Sequence, residues 1–145
     1  MTTRNIKIGI SALVLLCIIG LVWYKTNSPA VSGGGGDTLT HPTLDLPASG
    51  STNKSPLQVA GIAPGPWYFE ASFPIELRAT DGTILGVAPA HATEEWMTTG
   101  PVHFSTTIPF KVSKKTEAVL ILKKDNPSGD PKNDASYEVP VTLIP

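Results

Sequence analysis

Residues Phe73 to Leu85 read FPIELRATDGTIL. Phe73, Ile75, Leu77 and Ala79 alternate with Pro74, Glu76 and Arg78, the period of a strand with one buried and one open face. Asp81-Gly82 follows, then Thr83, Ile84 and Leu85. Asp-Gly between apolar runs is a strong hairpin signal, because Gly takes positive φ without strain and Asp tolerates it. The stretch predicts a β-hairpin and points to an all-β domain.

The same alternation recurs on both sides. PVHFSTTIPFK (Pro101 to Lys111) puts Val102, Phe104, Ile108 and Phe110 inward. EAVLILKK (Glu117 to Lys124) is apolar on both faces, as in a central strand. YEVPVTL (Tyr137 to Leu143) alternates around Pro140, which has no N–H to donate and so predicts an edge or a bulge. Ser55 to Ala63 and Trp67 to Ala71 supply two further short strands. With about seven strands and no amphipathic helix, residues 55–145 are expected to form an immunoglobulin-like β-sandwich. Trp67, Phe69, Trp96, Phe104 and Phe110 are expected to fill its core. Cys17 is the only cysteine, so no intramolecular disulfide is possible.

Two different segments precede this body. Ile8 to Tyr24, IGISALVLLCIIGLVWY, has no charge and lies between Lys7 and Lys25. As a helix it spans about 26 Å, and the flanking lysines and aromatics suit a membrane interface. A cleaved signal peptide would have a shorter apolar region, and the one small-residue site, Ser28-Pro29-Ala30, contains a proline. A lipid-modified Cys17 is disfavoured by the bulky Leu16 before it. An uncleaved membrane anchor (1–25) is therefore expected. Arg4 and Lys7 place the N-terminus in the cytoplasm and the C-terminal body outside, at the cell membrane. Residues 26–54, with SGGGG at Ser32 to Gly36, read as a flexible linker of about 30 Å mean reach. His41 falls in it and is expected to be solvated. Asn53-Lys54-Ser55 forms a glycosylation triplet.

The chain totals 11 basic and 12 acidic residues, but the body from Ser55 holds seven against ten. That mild acidity excludes a nucleic-acid footprint, which needs clustered Lys and Arg.

Four places have the residue types of a site. In DNPSGDPKNDAS (Asp125 to Ser136), Asp130, Asn133 and Asp134 loosely resemble the calcium loops between tandem immunoglobulin-like domains, and Asp125, Asn126 and Asp134 offer a ligand or partner surface. The twelve-residue calcium pattern fails there, since Pro127 stands at its third position and Ser136 at its last. Asp, Asn, Pro and Gly are also what a strand connection requires, and a structural turn is expected. In Trp67-Tyr68-Phe69, strand alternation turns Tyr68 outward, where it and Trp96 would present rings to a sugar, but core packing is the favoured reading of these rings, since so small a sandwich needs large apolar residues. Glu70 lies on the same side as Tyr68, and if buried would need a partner such as Arg78. His91, Glu94, Glu95 and His103 match no zinc spacing. No serine sits in a nucleophile elbow and no thiol lies outside the apolar segment, so neither an enzyme nor a cofactor is expected.

SPLQVAGIAPGPWYFEASFPIEL, TDGTIL, EEWMTTGPVHFSTTIPF, LKKDNPSG and DASYEVPV, in this order, cover nearly all of Ser55 to Val141. Together they resemble the immunoglobulin-like domain of bacterial spore germination proteins, described as associated with the GerMN domain. The resemblance implies an exported, envelope-associated module without known catalytic activity. No GerMN domain is expected beside it, and the resembled domain also occurs in bacteria that do not form spores, so a role in germination does not follow from the resemblance. Two functions are open: docking another envelope protein, or binding cell-wall glycan through Tyr68 and Trp96.

Overall fold

The computed structural model describes residues 39–145. The expected membrane segment and the linker up to residue 38 lie outside them. Among the described residues no helix is long and apolar enough to cross a membrane. Eight strands follow one another: β1 (Thr43–Leu46), β2 (Thr52–Asn53), β3 (Leu57–Pro64), β4 (Ser72–Ala79), β5 (Ile84–Ala92), β6 (Pro101–Ile108), β7 (Thr116–Lys123) and β8 (Ser136–Leu143). They form one curled sheet in the order β1-β3-β6-β5-β4-β7-β8-β2. Every pairing is antiparallel except the short parallel contact of β2 with β8.

The two halves of the sheet meet at a short junction. β5 meets β6 only at His91↔Ser105 and Ala92↔Phe104. Beyond it, β1-β3-β6 and β4-β7-β8 turn their apolar faces to a common core. Leu57 and Val59 from one side, Phe104 and Ile108 beside them, and Ile75, Leu120 and Val141 from the other are all buried in it. Phe73 of β4 reaches Phe104 of β6 edge-on, with ring centroids 5.0 Å apart. Burying such side chains is the main favourable term in a domain without disulfides.

The hairpin comes out as its pattern requires. Phe73, Ile75, Leu77 and Ala79 are buried and the residues between them are half-exposed. The turn is one residue longer than a two-residue Asp-Gly hairpin. Thr80, Asp81 and Gly82 form the loop, Ala79 N–H bonds Thr83 C=O at 2.8 Å, and Gly82 sits at φ +93°. β7 is flanked by β4 and β8, with Leu120, Ile121 and Leu122 buried in succession, which is why its sequence shows no alternation. Pro140 lies where β8 borders the short β2, and its carbonyl accepts from Gly50 N–H at 2.7 Å.

Two expectations are corrected. The ordered fold begins well before Ser55: Thr43–Leu46 pairs with β3 and Thr52–Asn53 with β8. These edge strands are short and mostly exposed, so they show no apolar period. His41, expected to be solvated, is exposed but stacks on Tyr137 at 5.0 Å. Trp67–Ala71 is not a strand. Gly65–Trp67 forms a 3-10 turn, and the next residues form a tight reversal.

Candidate functional site

The connection from β7 to β8 is held by its own side chains. Lys124 N–H bonds Ala135 C=O at 2.8 Å and closes it. Asn126 Nδ2 donates to Asp130 C=O (2.9 Å) and to Asp134 Oδ1 (2.6 Å). Ser128 Oγ donates to Asn126 Oδ1 and accepts from Asn133 Nδ2. Gly129 takes φ +65° to complete the first turn, and Asp130 Oδ1 caps the 3-10 turn Pro131–Asn133 by accepting from Lys132 N–H. The bonds from Lys132 hold the Asp130 carboxyl below its ordinary range. Among the described residues no three His, Cys, Asp or Glu side chains gather to hold a metal. Asp125, Asn126 and Asp134 do share an open groove of about 490 Å³, which Pro74, Lys123, Lys124 and Ser136 also line.

Trp67, Tyr68 and Phe69 do not alternate. Trp67 (4 % exposed) and Tyr68 (5 %) are both buried, whereas Phe69 is 44 % exposed. Trp67 closes the 3-10 turn and Tyr68 follows it in extended backbone, so the regular alternation of a continuous strand does not run through them. Tyr68 Oη donates to Val102 C=O at 2.9 Å, and burial pushes the hydroxyl well above the ordinary tyrosine range. Its ring packs edge-on against Phe73 at 5.1 Å. The outward Tyr68 expected from strand alternation is thus a core residue, and Phe69, expected in the core, faces solvent.

Glu70 is exposed at φ +50° and Ala71 lies at φ +61°, inside a reversal closed by Phe69 N–H to Ser72 C=O and Ser72 N–H to Phe69 C=O. Two central residues at positive φ define the type I′ turn, which normally recruits Asn and Gly. Glu70 does not meet Arg78. That guanidinium pairs with Glu76, as does Lys123 Nζ. Alternation puts Glu76 and Arg78 on one open face, but no local pattern points to Lys123, which joins them only through the β4–β7 register.

Trp96 is half-buried against the core, in a loop lying over Gly65, where a Cβ would stand 1.9 Å from Thr98 O. The expected ring pair of Tyr68 and Trp96 is therefore not displayed. Met97 at the tip of this loop is 75 % exposed. Glu94 Oε1 accepts from His103 N–H (2.8 Å) and contacts His103 Nδ1 (2.6 Å), tying the loop to β6. Those bonds from His103 lower the Glu94 carboxyl. Asn53 Nδ2, the acceptor atom of the glycosylation triplet, donates to Ser51 O and Oγ.

A curled antiparallel sheet around one apolar core, with loops gathered at its ends, has the all-β character of an immunoglobulin-like domain, although its eight strands run on as one sheet rather than two. The chain belongs to the family of the immunoglobulin-like domain of bacterial spore germination, whose model matches residues 43–130. The match begins at the first residue of β1. No curated protein matches the chain. The family points to a non-catalytic interaction module.

Proposed function

We propose that this protein is a membrane-anchored, extracytoplasmic interaction module without catalytic activity, held by residues 8–24 and docking another protein of the cell envelope. The observation that carries the reading is the β7–β8 connection. The polar residues that look most like a site are engaged with one another and with neighbouring backbone, and family membership favours docking over chemistry. The apolar, charge-free segment and the Gly-rich stretch after it support the anchor and spacer.

The test has two arms. Protease added to intact cells from which any outer barrier has been removed should digest the body and spare the N-terminus. Deleting residues 43–145 should shift at least one envelope complex on a native gel. If every complex is unchanged, and the full chain in detergent retains no envelope protein, the reading fails.

A further inference from the structure

The two ends of the sandwich differ in charge. One end collects the β3–β4 turn, the β5–β6 loop and the β7–β8 connection, because Pro64↔Pro101, Ser72↔His91 and Lys123↔Ser136 all fall there. Residues 66–71, 91–100 and 124–135 hold six carboxylates and two lysines. At the opposite end, residues 52–56, 80–83 and 109–115 hold four lysines (Lys54, Lys111, Lys114 and Lys115) and one carboxylate, Asp81.

The acidic end also bears exposed apolar side chains. Phe69 is 44 % and Met97 75 % exposed, although Trp67 and Tyr68 just before Phe69 are buried. The reversal bearing Phe69 lies between the two long loops: Asp125 N–H bonds Trp67 C=O, and Ala92 N–H bonds Ala71 C=O. Phe69 projects from a turn that holds two non-glycine residues at positive φ, a conformation that local sequence preference alone would not select. Around it, Glu70, Glu95, Asp125 and Asp134 have no ion-pair partner among the described residues, whereas Glu94 and Asp130 are paired with His103 and Lys132. Aromatic and Met anchors within a charged rim are the make-up of a protein-docking patch, and the sign of the rim selects its partner.

We propose that this loop end, with Phe69 and Met97 as anchors inside unpaired carboxylates, docks a basic segment of a partner protein. The proposal rests on the interaction-module reading and adds the surface and the charge of the partner. A cationic segment meets a net excess of carboxylates here, six against Lys124 and Lys132, whereas an anionic bilayer or polymer is repelled. A second copy of this chain is the competing occupant, because its lysine-bearing end is also complementary.

The experiment puts a photoreactive phenylalanine at Phe69, Val87 or Lys114 of the full chain in its own cells, and identifies the cross-linked peptides by mass spectrometry. Adducts at Phe69 to a lysine- and arginine-rich segment of another protein are expected. They should fall at least fivefold in the Glu70→Lys, Glu95→Lys double variant, whose fold circular dichroism verifies. Adducts only at Val87 or Lys114 would overturn this surface while leaving the module reading intact. At Phe69, adducts to lipid, to glycan, to an acidic segment or to a second copy would overturn the partner's chemistry. No adduct at any of the three positions would count against both readings.

Discussion

Trp67–Ala71 and Phe73–Ala79 are neighbours in the chain, both rich in aromatic and apolar residues, and both look like strands. Only the second is one. In Phe73–Ala79 each inward side chain is buried, and the backbone is paired on both sides, with β5 and with β7. In Trp67–Ala71, Gly65-Pro66 opens a 3-10 turn, two consecutive side chains enter the core, and the third is turned out. The difference shows that alternation specifies a face only where a partner strand holds the backbone extended.

Substitutions along the two segments can break or sharpen that contrast. Phe73→Ala has the largest expected effect, a loss of about 3–5 kcal/mol, because the ring is 1 % exposed and contacts Trp67, Tyr68 and Phe104. Urea unfolding followed by circular dichroism reads it, and a loss under about 1 kcal/mol would contradict the packing described. Tyr68→Phe should cost about 1–2 kcal/mol by leaving the Val102 carbonyl without its partner. A surface tyrosine would show almost no change in the same assay.

The positive-φ turn gives a prediction of opposite sign. Glu70→Asn with Ala71→Gly should raise stability by about 1 kcal/mol, since both replacements suit the observed backbone. Destabilisation would mean that this is not a type I′ turn.

Glu76 tests the outer face of β4 through pH. Lys123 first, and then Arg78, holds its carboxyl below the ordinary range. The folded group therefore binds its proton less readily than the unfolded one. Its contribution is present above the unfolded pKa and is lost as pH falls through the folded value. Glu76→Gln should cost about 1 kcal/mol at neutral pH and flatten the acid limb of the stability profile. Phe69→Ala should change stability least, by less than about 0.5 kcal/mol, in keeping with its exposure.

The strands whose sequences alternate were legible, and so was the central β7, whose continuous apolar run marks burial on both faces. The edge strands were not. Thr43–Leu46 and Thr52–Asn53 owe their place to backbone pairing with β3 and β8, and their side chains carry no periodic signal. At the candidate site, the turns within Asp125–Asp134 follow from its Asn, Gly and Asp residues. The direction of Tyr68 does not, because it depends on a 3-10 turn that Gly65 permits by lying under Thr98. The Glu76–Lys123 pair joins residues 47 positions apart in the chain, a distance that local pattern cannot bridge.

β2 has a consequence for how the molecule folds. Thr52 lies beside Thr142, Gly50 N–H donates to Pro140 C=O, and the N–H groups of Thr142 and Ile144 donate to the carbonyls of Ser51 and Asn53. Closing so long a loop is entropically costly before any contact offsets it, and topologies of this kind reach their native state in milliseconds to seconds rather than microseconds. While the chain is being made, the unfinished sheet keeps its apolar face wet until β8 arrives. Rapid-mixing kinetics should therefore show β2 and β8 acquiring hydrogen-exchange protection together and late.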